Sequence, residues 1–311
     1  MVRGVPMSLR VAGLLEGQLL NSYFLSKLTM EHAVPSLLET IAKRKANAIY
    51  KLALKNVPAY QKFMRNKKYS SIEKVPYTDK KNYVKKYSYE ERCVDGIFPK
   101  IGHIEESSGS SGASTNWIRS LKEESGLVKG AAFEVNYIYD IHKKNYIVLS
   151  AWSSGPWATG LKFCELLEKH GLVKNTTADI DNIARTLKQL GTKYNYLIAG
   201  YPPFLKNLLD SNVVDWKKYK IDMLTGGESS SVEWKRYMRN KLGNKNSKII
   251  SSYGASDVDI GIGFETPLSE FIRELSNDNP KINQALFGMS QNAILFQYNP
   301  LMHYIENTKK G

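Results

Sequence analysis

Residues 180–199, IDNIARTLKQLGTKYNYLIA, decide the fold class of this 311-residue chain. Ile180, Ile183, Ala184, Leu187 and Leu190 recur at i, i+3, i+4, i+7 and i+10, which places them on one helix face, and Gly191 supplies a C-terminal stop. Tyr194 to Ala199 then reads as a buried strand. The same rhythm extends outward in both directions. Upstream, Tyr146 to Leu149 predicts a strand and Trp157 to His170 a helix closed by Gly171; downstream, Pro202 to Leu209 predicts a short helix opened by proline. Strand Ile221 to Leu224, helix Val232 to Leu242 and strand Lys248 to Ser252 follow. Strands alternating with helices predict an α/β fold, a largely parallel sheet flanked by helices. Ligands in such folds sit beyond the carboxyl ends of the strands.

Before this pattern, Leu37, Leu38, Ile41, Ala42, Ala48, Ile49 and Leu52 mark a helix over 36–57 that Pro58 ends. The polar, tyrosine-rich stretch 59–100, with Pro76 and Pro99, reads as turning chain rather than long helices. The domain division expected is a helical segment over 1–56 and a core over 57–311.

Bulk properties exclude more than they assign. With 42% hydrophobic residues the chain can bury a sizeable core. A net charge of +14 favours polyanionic partners, but the lysines are scattered and no zinc-finger, RRM or KH signature accompanies them, so no dedicated nucleic-acid role is expected. Cys93 and Cys164 are the only cysteines, without a CxxC or a histidine at ligand spacing; this fits a reducing cytoplasm and speaks against a zinc site. Glu16, Gln18 and Asn21 interrupt the apolar N-terminus, so neither a signal core nor a membrane span is expected.

Three loops carry the chemistry. Ser107-Ser108-Gly109-Ser110-Ser111-Gly112-Ala113-Ser114-Thr115 follows the short run Ile101 to Ile104 and combines hydroxyl donors with two glycines. Such a loop can wrap phosphates with backbone amides and neutral hydroxyls; a flexible linker has the same composition. Thr225-Gly226-Gly227-Glu228-Ser229-Ser230-Ser231 follows strand Ile221 to Leu224. Ser230 and Glu233 are spaced as a capping box, which leaves the two glycines to offer bare backbone to a flat ring. Ser251-Ser252-Tyr253-Gly254-Ala255-Ser256-Asp257 supplies an aromatic plane, a close-approach glycine and a hard oxygen ligand for magnesium, or is a polar turn with an Asx cap.

On these residues the chain resembles adenylate-forming enzymes of the phenylacetate-CoA ligase type, including the branch of capsule-biosynthesis proteins. The Ser107–Thr115 loop is similar to the family's SSGTTGxPT phosphate loop, Thr225–Glu228 to its TGGE loop, and Tyr253–Asp257 to its YGxTE or YGASD element. Val57-Pro58-Ala59-Tyr60, Val75-Pro76-Tyr77-Thr78-Asp79-Lys80, the Trp152–Gly160 stretch and Gln297-Tyr298-Asn299-Pro300 are weaker echoes, in the family's order from about residue 56 onward.

The resemblance implies an acyl-CoA synthetase-like N-terminal domain that binds ATP, Mg2+, a small carboxylic acid, aromatic in type, and CoA as acyl acceptor. Ser107, Ser108, Gly109, Ser110, Ser111 and Gly112 would grip the ATP phosphates, and Gly226, Gly227, Glu228, Tyr253 and Gly254 would flank adenine. Asp257 would hold magnesium; Ser108, Thr115 and Asp257 would form the catalytic set. Trp152, Trp157 and Tyr201 are candidates for the acid pocket, with core packing as the competing role. Ser114 replaces the usual proline. Gly311 falls where the family continues into a ribose-binding aspartate and a mobile lid domain bearing a catalytic lysine, so the lid is expected to be absent and adenylation by this chain alone slow.

A carboxylate is already ionised at neutral pH, so the implied reaction needs no general base, in keeping with five scattered histidines. GxxxxGK[ST], GxSxG and GxGxxG are all missing from the chain. Two other readings stay open: a non-catalytic remnant or basic binding module, and acyl transfer to a protein or a sugar amine. A dimer is compatible with the sequence, which does not fix the oligomeric state.

Overall fold

The computed structural model describes residues 17–19, 21–65, 67–107, 114–155, 158–289 and 293–307. The chain packs as two compact units: one built from residues 1–105, 116–126 and 299–311, the other from 106–115 and 127–298.

In the first unit, helices α1 (Tyr23–His32), α2 (Pro35–Asn56) and α3 (Pro58–Met64) lead into short turns of 3-10 and π-helix between Ile72 and Gly96. Proline at the first helical position starts both α2 and α3, where its missing N–H costs nothing. Tyr50, Met64 and Val75 make a small core with Tyr60 and Phe63 packed against it. Burial of the Tyr60 and Tyr83 phenols pushes both up to about 12, so they stay neutral. Strands β1 (Gly102–Glu106) and β2 (Asn116–Ser120) pair as a two-stranded sheet.

The second unit carries the predicted α/β pattern. A six-stranded sheet has the order β4-β3-β5-β6-β7-β8, made from β3 (Tyr146–Ala151), β4 (Leu172–Asn175), β5 (Asn195–Gly200), β6 (Lys220–Thr225), β7 (Ile249–Ala255) and β8 (Asp259–Phe264). Five strands run parallel and β8 is antiparallel to β7. Helices α4 (Leu121–Tyr139), α5 (Ala158–Leu167), α6 (Ile180–Leu190), α7 (Pro202–Asp210), α8 (Val232–Leu242), α9 (Pro267–Asp278) and α10 (Pro280–Phe287) complete the chain.

Every residue of β3 is buried, because alternate side chains enter two different cores. Tyr146, Val148, Leu197, Ala199 and Ile250 pack on one face with Val135 and Tyr139 of α4 and Leu167 of α5. Ile147, Leu149, Ile198, Met223 and Ile249 pack on the other with Leu187 of α6, Leu205 of α7 and Met238 of α8.

Helix Ile180–Leu190 has the bounds its periodicity predicts; Asp179 caps its start, accepting from the Asn182 N–H at 2.9 Å, and Gly191 closes it at φ +81°. The expected capping box of Ser230 with Glu233 does not form, and the cap falls one residue later. Ser231 is the N-cap of α8, accepting from the Trp234 N–H at 3.1 Å, because the Ser230 hydroxyl is engaged by Ser251 Oγ at 2.8 Å inside the sheet. Among the described residues no helix is long and apolar enough to cross a membrane.

Candidate ligand site at the strand ends

The parallel register sets Ala151, Gly200, Thr225 and Ser251 in one row across β3, β5, β6 and β7. The residues that follow the first three, Trp152, Tyr201 and Gly226, open the loops after β3, β5 and β6 at one edge of the sheet, and Ser252, still within β7, lies beside them. Two of the three loops singled out in the sequence meet there. Ser252 Oγ donates to the Thr225 carbonyl at 2.9 Å, and Thr225 Oγ1 donates to Ser251 Oγ at 3.3 Å.

The glycine pair has a specific geometry. A Cβ on Gly226 would stand 2.8 Å from Ser252 Oγ and 3.3 Å from the Trp152 ring; Gly227 adopts φ +81°, and a Cβ there would stand 3.4 Å from the Tyr201 ring. We therefore expect Gly226→Ala to cost about 1–3 kcal/mol by overpacking, read as a shift in the urea midpoint at unchanged slope. An unchanged midpoint would show that the Ser252 side chain yields freely.

Glu228 accepts the Tyr201 hydroxyl, which holds the phenol above its ordinary range and ties the tyrosine to the glycine loop. Trp152 is buried and meets Phe163 edge to face at 6.4 Å, so it serves the core while bordering Gly226. Tyr253 is half exposed and lies 5.8 Å from the Phe296 ring. Gly254 and Asp257 are exposed, Asp257 on the turn between β7 and β8, and its hard oxygen chemistry suits magnesium.

The Ser/Gly loop is seen at its two ends. The Ser107 N–H donates to the Thr115 carbonyl at 2.9 Å and the Thr115 N–H donates to Ser107 Oγ at 3.0 Å, both residues being buried. Ser108, Gly109, Ser110, Ser111 and Gly112 lie outside the described residues, as does Trp157.

Sequence reasoning missed what lies behind the two meeting loops. Glu265, fully buried, accepts the Ser251 N–H at 2.7 Å, pairs with Lys235 at 2.5 Å and is bonded by Arg273. Arg273 also donates to the Ser230 carbonyl at 2.9 Å. These charges come from α8, α9 and the end of β8, far apart in sequence, so no local pattern marks them.

Two shallow depressions of about 410 and 500 Å3 lie elsewhere, beside α6 and around Trp216 and Tyr237, and their lining includes no residue of the three loops.

No family model matches the chain, and no curated protein matches it. Solved structures do. It resembles 2-hydroxyisobutyryl-CoA ligase in complex with 2-HIB-AMP and CoA in the thioesterification state, with a TM-score of 0.62 at 13% identity, over 75% of this chain and 52% of that one. The open conformation of the same ligase gives 0.60 at 14% identity, over 74% and 52%. The chain spans about half the length of the ligases it matches. With its five parallel strands, antiparallel edge and covering helices, this chain shares its fold with about half of 2-hydroxyisobutyryl-CoA ligase.

Proposed function

We propose that this chain binds ATP and a carboxylic acid at the carboxyl edge of the sheet and takes part in forming an acyl-adenylate, with release of pyrophosphate and onward transfer of the acyl group to CoA. The observation that carries the reading is the row Trp152, Tyr201, Gly226 and Ser252, set by strand register at one edge, with bare glycine backbone between two aromatic rings.

In this reading Gly226, Gly227, Glu228, Tyr253 and Gly254 receive adenine. The Ser107–Thr115 loop, with Ser108 and Thr115, receives the phosphates. Asp257 holds Mg2+, which when bound neutralises charge on the phosphates. The acid's carboxylate oxygen bonds to the α-phosphorus as the bond to pyrophosphate breaks, and the enzyme's task is positioning rather than proton transfer. The acid is aromatic, as in phenylacetate-CoA ligases and their capsule-biosynthesis relatives, because Trp152 and Tyr201 offer flat aromatic faces beside the glycine pair; Trp157, assigned to the same pocket from the sequence, lies outside the described residues. The setting is cytoplasmic, and the nucleotide- and acid-binding core falls within 57–311, after a helical segment over 1–56.

The test is acid-dependent exchange of labelled pyrophosphate into ATP, with hydroxylamine trapping of the acyl-adenylate. Arylacetic and benzoic acids are expected to support exchange above short aliphatic acids. Asp257→Asn is expected to slow it on the order of thirtyfold, about 2 kcal/mol of transition-state stabilisation. If no acid supports exchange and ATP does not bind in equilibrium dialysis, the proposal fails. ATP binding without exchange would instead favour the non-catalytic reading.

A further inference from the structure

The sequence offers no cysteine or histidine pair for a metal, yet folding assembles three ligand atoms within the first unit. We propose that His103, Glu105 and Glu124 form a binding site for one divalent transition-metal cation of the Zn2+ or Co2+ type, separate from the magnesium role assigned to Asp257. His103 and Glu105 are two apart on β1 and so face the same side, while Glu124 comes from the first turn of α4. His103 Nε2 lies 2.8 Å from Glu105 Oε1 and 3.8 Å from Glu124 Oε2, and the three ligand atoms all fall within 4.8 Å of one another. A tetrahedral cation with bonds of about 2.0–2.2 Å holds its ligands roughly 3.3–3.5 Å apart, so the trio needs only small side-chain adjustments to close on one.

A fourth side chain, Arg119, borders both carboxylates. Its Nε lies 3.5 Å from Glu105 Oε2 and 4.0 Å from Glu124 Oε1, the oxygens that do not face His103. The guanidinium also reaches Glu123 at 3.1 Å. Arg119 therefore approaches each carboxylate from the outside and orients it, as partners behind metal ligands do, while Oε1 of Glu105 and Oε2 of Glu124 converge on the imidazole. The glutamate side chains are 4% and 5% exposed, against 41% for His103, which gives a path for entry. An imidazole among the ligands selects zinc, cobalt and their neighbours over magnesium or calcium.

The experiment is titration of the chelator-stripped full chain with Zn2+ by calorimetry and with Co2+ by visible absorption. We expect one saturable site per chain and visible d–d bands for Co2+. Glu124→Gln and His103→Asn are expected to weaken binding by at least roughly thirtyfold. His170→Ala, which alters an unrelated histidine, is expected to leave binding unchanged. Mapping of histidine modification by mass spectrometry needs no variant: Zn2+ is expected to protect His103 and leave His32 reactive. Binding that is unsaturable, indifferent to His103→Asn and Glu124→Gln, or without protection of His103 would overturn the site and leave a closed side-chain network of His103, the two glutamates and Arg119.

Discussion

Glu265→Ala is expected to destabilise the protein by about 3–5 kcal/mol, the cost of removing the carboxylate that two buried cations share, with Lys235 keeping, among the described residues, only Glu270 at 3.3 Å. Lys235 and Arg273 are both buried around the Glu265 carboxylate, and neither can reach water without unpacking α8 or α9. The same carboxylate takes the Ser251 N–H, so its removal also orphans a backbone donor at the end of β7. Glu265→Gln keeps the shape and one acceptor and is expected to lose less. Equilibrium unfolding in urea, followed by far-ultraviolet circular dichroism, measures both. A loss under about 1 kcal/mol for the alanine variant is the range of exposed pairs and would mean that the cluster is solvated in solution. Ser251, Ser230 and Thr225 are linked to this cluster by hydrogen bonds, so a buried ion network stands directly behind the two loops proposed to hold the nucleotide.

Stability is expected to rise with pH between 8 and 10. Burial, outweighing the pull of Glu270, lowers Lys235 to about 8 against an ordinary 10.5. Between those values the unfolded chain keeps the Lys235 proton and the folded chain releases it, so the unfolded state binds more protons and the folded state gains as protons are withdrawn. The slope is about 1.4 kcal/mol per pH unit for one group, and the gain is lost again as pH falls through 8. Above pH 10 the sign reverses. Burial raises Tyr139 and Tyr146, so the unfolded chain loses phenol protons that the folded chain retains. Unfolding free energies at half-unit steps from pH 7 to 11 are expected to peak near pH 10, and Lys235→Met to flatten the rising limb. A rising limb that survives in Lys235→Met would assign the effect to another group.

The α/β pattern was legible because it is local. The stripe Ile180–Leu190 and the apolar run at Tyr194–Ala199 are each complete within a dozen residues, and the structure gives Ile180–Leu190 and Asn195–Gly200. Helix Leu121–Tyr139 and strands β4 and β8 were not read. The helix carries Gly126 and Gly130 within it, β4 is four residues long at the sheet edge, and Gly261 and Gly263 break the apolar character of β8. The capping residue of α8 was misplaced by one because two adjacent serines compete, and the winner depends on Ser251, twenty positions away from Ser231.

By themselves the residues determined which segments form strands and helices and which loops are rich in glycine, hydroxyl and carboxylate groups, since backbone freedom and hydrophobic periodicity act over one or two turns of chain. Tertiary structure alone decided which of those loops meet: strand register sets Gly226 beside Ser252 and Trp152, joins Glu265 to Lys235 and Arg273, and gathers His103, Glu105 and Glu124 around Arg119. Such groupings depend on the order of strands and the docking of helices, which are fixed by contacts between segments distant along the chain, and no local pattern encodes them.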